Sequence, residues 1–149
     1  MNAPRRNSQR GHAILEFALG FAVLWALFSG IYQFGYSFYV YNMLMTSVAN
    51  AAELSSKLDY DLGDPASYQT KLKNMVVYGS VTAGTKPLVQ GLTTANVNVA
   101  IALDTQTMPH DVTISITGYT IDSIFQSFTL TNKPRATVKY LGIITCSTC

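Results

Sequence analysis

Charge is what this sequence has least of. Only 12% of its 149 residues are charged, against about 25% in an ordinary soluble domain. The shortage is local. From Phe17 to Ala52, 36 residues, there is no Lys, Arg, Asp or Glu. No proline falls between Arg5 and Pro65, so nothing in that span forces a helix to break. Two cysteines exclude a disulfide-dense scaffold, and a structural zinc site needs more ligands than this pair, from which both histidines are remote in sequence. No glycine-rich phosphate loop follows a strand. The net charge of +2 rests on Arg5, Arg6 and Arg10; residues 12–149 carry 7 basic and 8 acidic side chains. No basic face remains to attract nucleic acid. His12 and His110 lack partner sets for acid–base chemistry, so the residues do not read as an enzyme. Neither a cofactor nor a metal is expected.

What is present starts with "RGHAILEFALGFAVLWALFSG", Arg10 to Gly30. The 21 residues from His12 to Tyr32 are long enough, as helix, to cross about 30 Å of hydrocarbon. The basic tip before them fits a cytoplasmic flank. A cleaved secretory signal fits less well: bulky residues stand around Ala26–Gly30 where small ones are wanted for cleavage. The segment reads as a retained membrane helix, spanning about residues 12–34. Glu16 interrupts it near its start. Either it sits at the headgroup level or it awaits a cationic partner, since an acid within a bilayer is costly. Ala18, Ala22, Ala26 and Gly30 recur every four residues, a stripe that lets another backbone approach closely. Ala and Gly are also common in membrane helices for no such reason. Phe17, Phe21, Trp25 and Phe28 form a bulky strip beside the stripe. Tyr32, Phe34, Tyr36, Phe38, Tyr39 and Tyr41 follow, more aromatics than an interfacial belt needs.

Beyond Tyr36 the pattern becomes amphipathic. Val40, Leu44, Val48, Ala51, Leu54 and Leu58 share one face; Asn42, Thr46, Asn50, Glu53 and Lys57 share another. One helix over residues 12–58 is the economical reading. Gly63 ends this region, and Asp64-Pro65 opens a short second helix that carries Tyr68, Leu72 and Met75. Asp59, Asp61 and Asp64 miss the calcium-loop pattern: Gly63 is one place early and Thr70 stands where a Glu belongs. Residues 79–95 read as loop. After them the period changes to two in "NVNVAIAL" and "DVTISITGY", and "FTLTNKPRATVKYLGII" suggests a strand pair around Asn132-Lys133-Pro134. This is an α+β chain: a long N-terminal helix whose outer half covers the apolar face of a small antiparallel sheet over residues 59–149.

Cys146 and Cys149 form C-S-T-C. A structural disulfide is the first reading, allowed outside the cytoplasm. Free thiols or an intermolecular bridge come next, and a redox or metal pair last.

The run "RGHAILEFALGFAVLWALFSGIYQFGYSFYVYNMLMTSVANAA" resembles the TadE-like family, pilin-like proteins of bacterial tight-adherence pilus systems. The specific part is a basic leader, Gly11, and Glu16-Phe17 with Glu16 fifth after the glycine, similar to type IV prepilin processing sites. The resemblance implies a pilin-like fold and a cut between Gly11 and His12 by a prepilin peptidase on the cytoplasmic side. It removes residues 1–11 and gives His12 a new α-amine. It further implies that Glu16, with Phe17 beside it, docks onto the amine of a neighbouring subunit. His12 departs from the aromatic residue typical of major pilins at that place. The implied partners are the peptidase, other pilin-like subunits, the assembly machinery and membrane lipid. The implied location is the bacterial inner membrane, N-terminus cytoplasmic, with the C-terminal region periplasmic and a place in a surface pilus open. Two rivals remain: an uncleaved single-pass scaffold with a periplasmic β-domain, and a secreted β-rich binding domain with a complete signal peptide.

Overall fold

The computed structural model describes residues 8–104, 108–122 and 127–146, with side chains described from Gly11 onward. Helix α1 runs Ser8–Ser55, 48 residues without interruption. It therefore begins four residues before His12 and ends three residues before Leu58. The early start follows from the absence of any breaker after Pro4; Gly11 is tolerated in a helix at a cost of about 1 kcal/mol.

The chain divides into two units, residues 1–36 and 37–149. In the first, every residue from Gly11 to Phe28 is exposed. Phe17 is 74% exposed and Trp25 67%. A helix apolar on all sides suits an apolar surrounding rather than water.

In the second unit, α1 buries one face. Val40, Leu44, Ser47, Val48, Ala51, Ala52 and Ser55 are buried, at the three- and four-residue spacings of a helical stripe. The two serines do not leave orphaned hydroxyls: Ser47 donates to the Leu44 carbonyl at 2.9 Å and Ser55 to that of Ala52 at 2.6 Å. The end of α1 has no glycine cap. Its last carbonyls are instead satisfied from elsewhere in the fold. The Tyr68 hydroxyl donates to Ser55 O at 2.6 Å, the Leu141 N–H to Ser56 O at 3.1 Å, and the Tyr140 hydroxyl lies 3.0 Å from Leu58 O. This explains a stop at Ser55 that local sequence does not mark.

Helix α2 spans Pro65–Tyr78. The Asp64 side chain accepts from the Ser67 N–H at 3.1 Å, and Pro65 opens the helix as expected. Gly79 closes it at φ 72°, in the left-handed region that glycine tolerates, and donates to Met75 O. Tyr68, Leu72, Val76 and Val77 are buried.

The strands are β1 (Tyr60–Asp61), β2 (Val97–Leu103), β3 (Pro109–Ile116), β4 (Thr120–Ile121), β5 (Phe128–Thr129), β6 (Arg135–Lys139) and β7 (Ile144–Thr145). A short 3₁₀ turn, Thr94–Asn96, leads into β2. β3 lies between β2 and β6, antiparallel to both. Its Val112, Ile114 and Ile116 are fully buried and join α1, α2, Val97 and Val99 in one hydrophobic cluster. The other face is polar, with Thr113 and Thr137 paired through their hydroxyls at 2.8 Å. The expected strand pair around Asn132-Lys133-Pro134 does not form with itself. β5 pairs with β4, and β6 pairs with β3. The turn, with Asn132 at φ 54°, thus separates two strands that belong to different ladders. β1 and β7 form a separate parallel pair.

Tyr60, Tyr68 and Tyr140 meet edge to face, with centroids 5.2 and 6.3 Å apart. Burial pushes the Tyr68 phenol up to about 12. The neutral form is thus the one folding favours. This contribution is intact below pH 10, the ordinary tyrosine value, and is lost as pH rises towards about 12. Chemical denaturation of the full chain in detergent should show stability falling over that window, with a shallower fall in Tyr68→Phe. Ile114→Ala, at the centre of the cluster, should cost about 2–5 kcal/mol in the same assay.

Candidate functional site: the apolar end of the long helix

Gly11, His12, Glu16 and Phe17 lie together on the first described turns of α1. His12 Nε2 and Glu16 Oε1 are 3.9 Å apart, one helical turn along the same side, with the two side chains 79% and 74% exposed. Beyond Glu16 the next charged residue is Glu53. A Cβ added at Gly11 would meet nothing within 4 Å, so substitution there has room and any requirement for glycine is not one of packing within this chain.

The small-residue stripe is open. Ala18, Ala22 and Ala26 are exposed and Gly30 half-exposed. Spaced by four on a 3.6-residue helix, they wind about the axis by about 40° per step. Phe17, Phe21 and Trp25 form the bulky strip one position away, each ring stacked on the next at 6.2 Å. Small and bulky side chains thus run as adjacent ridges, the texture that close helix packing uses. Of the following aromatics, Phe38 and Tyr39 are exposed and Tyr41 is half-buried.

Elsewhere the residues singled out in the sequence are dispersed or structural. Among the described residues no three His, Cys, Asp or Glu side chains converge as metal ligands. Asp61 accepts from the Gly63 N–H at 2.8 Å and Asp64 caps α2, so these acids organise turns. His110 lies on β3, with Nδ1 2.8 Å from Asp111 Oδ2 on the protein surface. Glu53 and Lys57 pair at 2.8 Å, and the ammonium holds the Glu53 carboxyl below its ordinary range. They border a shallow hollow of about 270 Å³ with Asn50, Leu54 and Met75. Its lining presents no convergent reactive set. Cys146, just past β7, is disulfide-bonded; Cys149 lies outside the described residues.

The site is therefore a helical surface. The model of the TadE-like protein family matches residues 11–53. In this segment the chain is similar to that family. The match begins at Gly11 and covers most of α1, while the sheet and α2 lie outside it. No curated protein and no solved structure matches the chain. Helix α1 is long and apolar enough to cross a membrane.

Leu24→Lys, placing a charge in the middle of the exposed apolar stretch, should raise the cost of membrane insertion by about 2.5–3.5 kcal/mol. Alkaline carbonate extraction should leave the native chain with the membrane pellet and release a substantial fraction of the variant.

Proposed function

We propose that this protein is a minor pilin or pseudopilin that takes part in assembling a tight-adherence pilus or secretion apparatus once its leader is removed. The observation that carries the reading is the coincidence of three features at one helix end. The TadE-like match opens at Gly11, the chain becomes charge-free after Glu16, and the helix that follows has all its side chains exposed as far as Phe28. The arginines of residues 1–11 keep the N-terminus cytoplasmic. A membrane aspartyl prepilin peptidase cuts between Gly11 and His12, and residues 37–149 fold on the periplasmic side. The oxidising environment there permits a disulfide between Cys146 and Cys149.

Glu16 then acts as a docking charge. A carboxylate just inside the hydrocarbon is expensive. The new α-amine of an adjacent subunit, with a pKa near ~8, is largely cationic at neutral pH. In a low-dielectric setting each charge lowers the cost of burying the other. Phe17 packs beside that contact, and the stripe of Ala18, Ala22, Ala26 and Gly30 takes the neighbouring helix at close range. The role is structural assembly, without catalysis.

Intact mass of the membrane-extracted protein tests the first step. Cells with an active prepilin peptidase should yield a chain beginning at His12, and Gly11→Lys should yield the full-length form. Glu16→Leu should still insert and be cut but lose pilus assembly. A full-length chain on every molecule, with assembly normal, would select the uncleaved scaffold instead.

A further inference from the structure

We propose that His12 is a positioning residue that holds the Glu16 carboxylate within its own protomer and thereby competes with docking to a neighbour. The inference rests on the docking role given to Glu16 above. It starts from the 3.9 Å separation of His12 Nε2 and Glu16 Oε1 on successive turns of α1. That distance is too long for a hydrogen bond and within reach of one after a small rotamer change. An imidazole with Nε2 protonated can donate to a carboxylate whether the ring is neutral or cationic. A phenyl or other apolar ring at position 12 could do neither.

The surroundings make this donor matter. From Phe17 to Ala52 no charged side chain competes for Glu16. Leader removal would also take away Arg5, Arg6 and Arg10, the chain's own cations near this end. His12 is then the one residue of the shortened chain within a turn of Glu16 that carries a basic side chain. It partly satisfies the acid while a protomer stands alone in the bilayer, which lowers the cost of that state. The same contact must be given up, or shared, when a neighbour's amine arrives. A stabilised free protomer means weaker association. His12 thus makes docking more readily reversible than an aromatic residue at that position would.

The sign is opposite to that of ordinary interface loss: deleting the His12 donor should tighten association. The experiment uses the chain cut in vitro between Gly11 and His12 and reconstituted in vesicles of phosphatidylethanolamine and phosphatidylglycerol. Association is read by energy transfer between copies labelled at Thr70→Cys, an exposed position on α2. His12→Phe should associate about 3- to 10-fold more tightly than the native chain, the range expected for one ordinary net hydrogen bond lost from the free state. His12→Arg, which keeps a cation one turn from Glu16, should associate no more tightly than native. In a Glu16→Gln background, His12→Phe should have no effect. A His12→Phe chain that associates equally or more weakly, or that gains equally with Glu16→Gln present, overturns the inference. Weaker association in Glu16→Gln alone upholds the docking role when the His12 inference fails. Unchanged association in Glu16→Gln removes both.

Discussion

The constraint on which this molecule depends is that a single helix must satisfy two environments with one backbone. From Phe17 to Phe28 α1 has no charge and every residue is exposed, so its side chains suit a medium without water. Over its last part it presents a stripe of Val40, Leu44, Val48, Ala51 and Ala52 that belongs to a conventional core. Backbone hydrogen bonding is the same throughout, because an α-helix satisfies its own amides wherever it lies. Only the side-chain pattern changes, and it changes near Ser37.

The core built around the second part explains how a helix without a local stop signal ends where it does. Ser55, Ser56 and Leu58 offer carbonyls that the helix itself does not use, and Tyr68, Leu141 and Tyr140 supply the donors. These donors come from α2 and from the chain segment before β7. The end of α1 is thus fixed by residues remote in sequence, and two of them, Tyr68 and Tyr140, also pack with Tyr60 in an aromatic cluster. Loss of Tyr68 or Tyr140 would remove both a carbonyl partner and a ring contact.

At the other end the chemistry is sparse, and the sparseness is informative. One acid, one imidazole and a glycine occupy the first turns before 36 residues without charge. In water an exposed His–Glu pair contributes little. In an apolar medium an unmatched charge is far more costly, which is what the proposed docking role draws on. The functional reading places specificity at this point and close packing along the adjacent ridges of small and aromatic side chains.

Much of this was legible from residues alone. The charge-free run identified the apolar helix, the three-and-four spacing from Val40 identified its buried face, and Asp64-Pro65 identified the start of α2, because each depends on local periodicity or local capping. Gly11, Glu16 and the alanine stripe stand out as a pattern in the sequence, and their roles belong to the proposal. Strand pairing was less so. The sequence around Asn132-Lys133-Pro134 looks like a hairpin, yet β5 and β6 join different ladders, because partner choice depends on which edge is vacant in three dimensions. The 3.9 Å approach of His12 to Glu16 was implicit in their four-residue spacing on a helix that includes both. By itself the sequence determined where water is excluded and where the backbone coils, since those follow from composition and period. Only the tertiary structure decided where α1 stops, which strands meet and which tyrosine reaches which carbonyl, since those are contacts between residues that the chain brings together from a distance.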